Sequence, residues 1–263
     1  MRDDGVGVVT TMSEEQKLAD QIAYIKDLHV KGETEKIHKT VSGRYIKDVV
    51  YGANDGIVTT FAVVSGVAGA SLSIETVLIL GIANLIADGI SMGASNFLGS
   101  KSEEDYYKKE KAAEYWEVDH LPDHERQEIR DIYAKKGFTG AELEEVVDVI
   151  TKNKDRWVDV MMKEELGLIE EPDGKAFRSG LVTFISFVVA GFMPLASYIF
   201  FAHFTNPFFI SVAITALTLF VVGAMRSLMI RKVWWKAGLE MLMVGVLAAG
   251  AAYGIGFLLR GLK

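Results

Sequence analysis

Two long apolar segments of the sequence each contain a carboxylate, a residue type that is rare in such surroundings. Asp55 lies within the apolar segment 49–70, and Asp88 lies within the segment 74–98. An ionised Asp at the centre of a bilayer costs roughly 2.5–3.5 kcal/mol, and a chain retains it where it lines a polar path or pairs with a positive group. These residues therefore indicate a polar path inside a membrane.

Polar side chains recur at helical spacing in both segments. In the second segment the shared face carries Asn84, Asp88 and Met92. In the first segment it carries Asp48, Gly52, Asp55 and Thr59. Carboxylate oxygen with thioether sulfur suits a borderline divalent ion such as Fe²⁺ better than Ca²⁺ or Mg²⁺. The alternatives are that Met92 packs in the core and that Asp88 caps a kink beside Gly89.

A second group of carboxylates lies in the polar block 99–179. Three of them fall at i, i+4 and i+7 on one predicted helix and two at i, i+3 on the next: Glu110, Glu114 and Glu117, then Glu125 and Glu128. Carboxylates at this spacing repel one another unless a cation lies between them. Two such helices packed antiparallel would hold hard or borderline divalent ions through oxygen ligands. The alternative is a solvated acidic face.

Histidines near these carboxylates suggest a further kind of metal site. Glu117 with His120, and Glu35 with His38, each form a Glu-x-x-His pair. Two such pairs are typical of ferritin-like di-iron sites, which also need two helices with inward Glu and an apolar bundle core. Neither pair lies in a strongly apolar helix, which favours coincidence on exposed surfaces. His124 adds an imidazole beside the same cluster.

Composition limits the class of protein. Of the 263 residues 50% are hydrophobic and 24% charged, and the two kinds are segregated into alternating blocks. The net charge of −7 and the lack of a basic stripe exclude nucleic acid as a partner. No cysteine is present, so disulfides, thiolate metal sites and cysteine nucleophiles are excluded. The first 48 residues lack a signal peptide, so the first spanning helix is expected to be its own insertion signal.

Five apolar runs are long enough to span a bilayer: 49–70, 74–98, 180–202, 207–230 and 237–259. We therefore predict an all-α integral membrane protein with five transmembrane helices. Basic residues cluster before the first span (Lys36, Lys39, Arg44, Lys47) and between the last two (Arg231, Lys232, Lys236). The positive-inside rule then places the amino terminus and the 99–179 block in the cytoplasm, and the carboxyl terminus outside.

The polar regions are predicted to be helical as well. An amphipathic helix is expected over 13–39, begun by a Ser13 to Gln16 capping box. Inside the block we expect helices over 101–118, 123–136, 139–152 and 154–166, with Thr139 and Glu142 as a capping box and Asn153 as a cap. The predicted domains are an N-terminal segment (1–47), helices 1–2 (48–98), a cytoplasmic metal-binding domain (99–179) and helices 3–5 (180–263).

Two glycine pairs have the small-xxx-small spacing that lets helix backbones approach closely, Gly89 with Gly93 and Gly250 with Gly254. An odd number of spans leaves no inverted repeat within one chain, so we expect a homodimer in the lipid bilayer to supply the symmetry. Either pair serves packing within the chain equally well.

Four motifs resemble those of the vacuolar iron transporter family. Residues 54–62, with the sequence Asn-Asp-Gly-Ile-Val-Thr-Thr-Phe-Ala, closely resemble its first-helix signature. Residues 90–93 and 101–103 resemble the end of its second helix, residues 157–168 its motif before the third span, and residues 192–195 its third-helix pattern. The resemblance covers roughly 45–260, in the family's order and with compatible spacing.

The resemblance implies a homodimer with five spans that moves Fe²⁺, and often Mn²⁺, out of the cytosol in exchange for protons. The metal is a transported substrate, and no permanently bound cofactor is expected. Asp48, Asp55 and Met92 would line the path. The cytoplasmic metal site would comprise Glu114, Glu117, Glu125, Glu128, Glu165, Met161 and Met162. The family often has a glutamate where Asn84 stands, and Asn84 cannot carry a proton, so Asp88 is the candidate to replace it.

The leading prediction is therefore a transporter and not an enzyme. A membrane-anchored di-iron ferroxidase, and a metal sensor that signals without transport, are the alternatives. The absence of an organelle signal favours a prokaryotic plasma membrane over a vacuole.

Overall fold

The computed structural model describes residues 14–31, 43, 45–201, 206–230 and 233–260, and within them it contains helices and no strand. In chain order the helices are α1 (Glu14–Val30), α2 (Ile46–Gly69), α3 (Ile74–His120), α4 (Pro122–Lys135), α5 (Gly140–Thr151), α6 (Lys154–Val160), α7 (Lys175–Phe200), α8 (Pro207–Ile230) and α9 (Trp234–Leu259). A π-helical turn, Met161–Glu165, follows α6.

Four of these helices are long and apolar enough to cross a membrane, namely α3, α7, α8 and α9. Together they make the chain a multi-pass helical membrane protein. Helix α2 has 24 residues, which is long enough, but it is not among the four. Its polar residues Asp48, Asn54 and Asp55 lower its hydropathy. The fifth span therefore stays a prediction.

Glycines let the helices around α7 approach at backbone distance. A Cβ on Gly52 or Gly56 of α2 would overlap the carbonyl oxygen of Thr183 or Phe187 on α7. A Cβ on Gly93 of α3 would lie 2.9 Å from the Phe184 Cβ. The Gly89 and Gly93 pair thus serves packing within the chain. Around Gly250 and Gly254 of α9, nothing in the described chain lies within 4 Å of such a Cβ.

Helix α3 leaves the membrane segment without interruption and becomes part of the polar block. Its 47 residues correspond to about 70 Å of continuous helix. The predicted helix 101–118 and the second predicted span are therefore parts of one helix. The block has its own apolar core, formed by Tyr107, Val118, Ile129, Val147, Ile150, Trp157, Val158, Met161 and Met162. Arg130 joins α4 to α5 through a bidentate pair with Glu144, at 2.7 and 2.9 Å.

Several predicted boundaries and caps differ from the structure. Thr139 precedes α5 but makes no side-chain capping bond, so the predicted capping box is wrong there. Asn153 does cap α6, since its Oδ1 accepts from the Arg156 N–H at 2.9 Å. The predicted helix 154–166 ends as a π turn.

Helix α1 belongs to a separate unit of 47 residues and ends at Val30, with its apolar residues Leu18, Ile22 and Ile25 exposed. The predicted remainder of that helix to residue 39 lies outside the described residues. So do Ser13, the basic residues Lys36, Lys39 and Arg44, and Arg231 and Lys232 of the last loop.

Candidate metal centre and membrane path

Three glutamates meet where α3 ends and α4 begins. Glu114 and Glu117 lie one turn apart on α3, and the chain reverses at Leu121 and Pro122 so that Glu125 on α4 faces them. One carboxylate oxygen from each of the three lies within 4.8 Å of the others. Glu114 is 5% exposed and Glu125 is 1% exposed. The structure thus brings Glu114, Glu117 and Glu125 together, and their role as metal ligands stays a prediction.

Burial and neighbouring negative charges raise the pKa values of carboxylates in this cluster. Burial raises the pKa of Glu114 to about 7, and the charges of Glu165, Glu125, Glu117 and Glu128 add to the rise. Burial, followed by the charges of Glu128, Glu117 and Glu165, raises the pKa of Glu125 to about 7 as well. The pKa of Glu165 is also raised, by burial and then by Glu128 and Glu117. The charges of Glu117, Glu128 and Glu165 thus raise the pKa values of both Glu114 and Glu125.

Two oxygens of the cluster are free to bind a ligand. Oε2 of Glu114 and Oε2 of Glu125 are both buried and have no hydrogen-bond partner within the described chain. Buried acceptors normally find a donor, and an unpaired one is costly. A divalent cation would satisfy both oxygens and cancel the repulsion at the same time. Carboxylate ligands of this kind suit hard and borderline divalent ions.

Neither histidine of the α3–α4 turn joins the three glutamates. His120 stacks on Trp116 with ring centroids 4.4 Å apart, and its Nδ1 lies 2.7 Å from the Trp116 carbonyl oxygen. His124 Nε2 is 3.4 Å from Glu128 Oε1. The pair of Glu117 and His120 therefore contributes only its glutamate, and the pair of Glu35 and His38 lies outside the described residues.

The remaining predicted residues of the block are not members of the group of three glutamates. Met161 and Met162 are fully buried in the apolar core of the block. Glu165 lies at the end of the π turn that carries both methionines, which brings its charge to the cluster. Glu110 lies 3.0 Å from Lys109 Nζ instead and is not one of the three clustered glutamates.

A second polar centre joins three helices near the start of α2. The Nδ2 of Asn96 on α3 donates to Asp48 Oδ1 of α2 at 2.9 Å and to Thr183 Oγ1 of α7 at 2.7 Å. Asp48 is 8% exposed and Thr183 is fully buried. Of these three residues, only Asp48 was predicted from the sequence. Asn96 could have been identified from the sequence, because it continues the spacing of four residues that begins at Asn84. No sequence pattern indicated Thr183.

The other predicted path residues lie further along α2 and α3. Asp55 and Asp88 are both half-buried, and they are near enough for the charge of Asp88 to act on Asp55. Asn84 has a buried Nδ2 without a partner in the described chain. Met92 is half-buried and packs against an apolar cluster that includes Phe187. The hydroxyl of Thr59 donates to the Asp55 carbonyl oxygen at 2.8 Å.

Carboxylates thus follow one helix from the membrane segment to a buried cluster outside it. A multi-pass membrane protein with carboxylates in both places fits the class of membrane metal-ion transporters.

Comparison with known proteins identifies the family. The model of the VIT family matches residues 46–257, which is most of the chain. A vacuolar iron transporter of Toxoplasma gondii is 37% identical over 255 residues, covering 92% of this chain and 84% of the relative. Vacuolar iron transporter 1 of Arabidopsis thaliana is 37% identical over 221 residues, with 84% and 87% covered. Vacuolar iron transporter 1 of Oryza sativa is 36% identical over 215 residues, with 81% and 85% covered.

The chain belongs to the VIT family. The resemblance stated from its motifs is confirmed. Because these relatives are named as transporters, the expectation that the chain is not an enzyme is confirmed as well.

Proposed function

We propose that this protein exports Fe²⁺, and also Mn²⁺, from the cytosol in exchange for protons. The proposal includes five spans, with α2 as the first, and the block 99–179 in the cytoplasm. It rests chiefly on the cluster of Glu114, Glu117 and Glu125, whose buried oxygens lack partners. The names of the relatives, vacuolar iron transporters, support iron as the substrate.

The first step is collection of the ion by the cytoplasmic cluster. The pKa of Glu114 and that of Glu125 are both about 7, so each holds a proton part of the time in neutral solution without metal. A divalent ion binds the ionised carboxylates and displaces those protons. Binding is therefore coupled to proton release from the start, and it removes the repulsion among the neighbouring charges.

The second step is transfer along the membrane path. We assign Asp48 to the cytoplasmic end and Asp55 with Met92 to the interior of this path. Protons from the far side compete for the same carboxylates, because a protonated carboxylate loses its charge for the metal. Asn84 has no titratable proton, so Asp88 takes that role, and its charge reaches Asp55. Alternating exposure of the path to the two sides couples the two fluxes.

The homodimer and the membrane of residence are part of the same proposal. Gly250 and Gly254 form a small-residue pair on α9 that no described residue of the same chain covers, which favours contact with a second copy. The relatives are named as vacuolar transporters. They give no support to a prokaryotic plasma membrane, so we assign the protein to a vacuolar membrane.

The test is metal uptake by proteoliposomes that are acidic inside, for the wild type, Asp55→Asn and the control Ser91→Ala. Ser91 is an exposed residue of α3. We expect uptake of Fe²⁺ and Mn²⁺ that requires the proton gradient, survives Ser91→Ala and disappears with Asp55→Asn. Wild-type protein that binds Fe²⁺ but shows no flux would overturn the transport proposal and favour a sensor. Consumption of O₂ by the protein with Fe²⁺ would favour the ferroxidase.

A further inference from the structure

The side chain of Asn96 is the only described link between the Asp48 carboxylate and the hydroxyl of Thr183. Both of its Nδ2 hydrogens are used, one toward each partner, at 2.9 and 2.7 Å. The three residues belong to three different helices, α2, α3 and α7. They converge where a Cβ on Gly52 would overlap the Thr183 carbonyl oxygen, so the backbones of α2 and α7 are already in contact there. The amide of Asn96 thus occupies Oδ1 of Asp48.

These three residues lie next to the proposed membrane path. Asn96 is four residues beyond Met92 and eight beyond Asp88, so it lies on the same face of α3. It is also the member of that row closest to the cytoplasmic cluster, which begins at Glu114, about 27 Å further along the helix. On the proposed path, Asp48, Asn96 and Thr183 therefore precede Asp55 for an ion that comes from the cluster.

We propose that Asp48, Asn96 and Thr183 form an entrance site for a divalent cation, with Asn96 as a reversible ligand. Without the cation, the amide nitrogen of Asn96 holds Asp48 and Thr183 together. With it, the amide turns over and presents its oxygen, since the nitrogen and oxygen ends of the group are nearly identical in shape. The cation is then bound by a carboxylate, an amide oxygen and a hydroxyl. This inference rests on the proposed transport function and adds the residues that admit the substrate.

The chemistry of the three ligands specifies the ion. An all-oxygen set with one negative charge binds hard and borderline divalent ions, Mn²⁺ and Fe²⁺ among them, and holds them weakly enough to release them. One turn deeper, the Met92 thioether would favour the softer of these ions. The entrance site thus accepts an ion by charge and size, before any sulfur ligand is reached.

The alternative is that Asn96 only holds three helices together, and the two roles predict different kinetics. Asn96→Asp and Asn96→Leu both remove the amide hydrogen bonds, so a holding role predicts similar losses for both. A ligand role predicts opposite shifts. A second carboxylate strengthens the ligand set and lowers the KM for Mn²⁺ about tenfold, whereas leucine removes a ligand and raises the KM about tenfold.

The experiment measures initial Mn²⁺ uptake against Mn²⁺ concentration in proteoliposomes that are acidic inside. Ser95→Ala, at the exposed neighbouring position of α3, is the control and should retain the wild-type KM. Opposite shifts of the KM for the two Asn96 variants support the entrance site. Equal shifts, or none, overturn it while leaving transport by the wild type intact. Absence of uptake by the wild type instead overturns the proposed function itself.

A second pair of variants covers the case in which Asn96→Leu does not fold. Thr183→Val has the shape of threonine but lacks the hydroxyl, and it should raise the KM severalfold. Thr183→Ser keeps the hydroxyl and should restore most of the lost affinity. An equal KM for the valine and serine variants would contradict a ligand role for Thr183 and remove the site.

Discussion

Replacing Glu125 by glutamine should make the metal-free protein more stable and, at the same time, abolish most of its stabilisation by metal. Glu125 is 1% exposed, and its Oε2 has no partner in the described chain. The negative charges of its neighbours Glu128 and Glu117 oppose the ionisation of Glu125. Glutamine keeps the shape of the side chain but removes one charge from the cluster.

The magnitude follows from the pKa of Glu125, which rises from 4.5 to about 7 on folding. At pH 7.5 the raised pKa lowers the free energy of unfolding by roughly 3 kcal/mol, at about 1.4 kcal/mol per unit of pKa. This gain in stability is reduced by about 1–2 kcal/mol, because the N–H₂ group of the buried amide in the variant lacks an acceptor. The net gain is about 1–2 kcal/mol, or an increase of about 3–6 °C in apparent Tm.

The assay is thermal unfolding of the full chain in detergent at pH 7.5, with chelator and then with Mn²⁺. Glu145→Gln, at an exposed position of α5, is the matched control and should change neither curve. In wild-type protein, Mn²⁺ at a hundred times its Kd adds about 2.7 kcal/mol. Glu125→Gln should start from a higher Tm and gain much less.

The reasoning about the cluster is refuted if Glu125→Gln lowers the Tm of the metal-free protein below that of Glu145→Gln. It is equally refuted if the variant keeps the full stabilisation by Mn²⁺. The first result would mean that the buried carboxylate is favourably paired, and the second that the ion binds elsewhere.

Two further predictions concern pH and helix packing. Because the pKa values of Glu114 and Glu125 are raised on folding, the folded protein holds more protons than the unfolded chain between about 4.5 and 7, and stability falls as the pH rises through that range. Melting of the metal-free protein from pH 5 to 8 should show this fall, and saturating Mn²⁺ should remove it; a constant Tm in chelator contradicts the raised pKa values. Gly56→Ala should destabilise by about 1–3 kcal/mol, since its Cβ overlaps the Phe187 carbonyl, whereas Gly99→Ala meets open space and should stabilise slightly. Melting curves of both variants check this, and equal shifts would contradict close packing of α2 on α7.

Much of the fold was predictable because its signals are local. Apolar runs of spanning length predicted α3, α7, α8 and α9, since length and hydropathy suffice to define them. In α2, the polar residues that indicate a function also lower the hydropathy by which a membrane span is recognised. The cap at Asn153 was predictable from one side chain and its near neighbours, but that at Thr139 was not, because its hydroxyl has no capping bond in the fold.

The cluster of Glu114, Glu117 and Glu125 was predictable because its residues repeat at helical spacing on consecutive helices. Glu114, Glu117 and Glu125 needed only the turn at Leu121 to meet. Thr183 is different, because it lies 87 residues from Asn96 in the chain and reaches it only through tertiary packing. The stacking of His120 on Trp116, in contrast, is local, because the two residues are four apart on α3.

The continuity of α3 fixes the phase between the two polar centres. Asn96 and Glu114 are 18 residues apart on one uninterrupted helix, a rise of about 27 Å. One residue added between them would turn the cluster by about 100° about the helix axis and shift it by about 1.5 Å. The length of this segment is therefore constrained as strictly as the identity of its carboxylates. An insertion of seven residues, about two whole turns, would nearly restore the orientation but would move the cluster by about 10 Å along the axis.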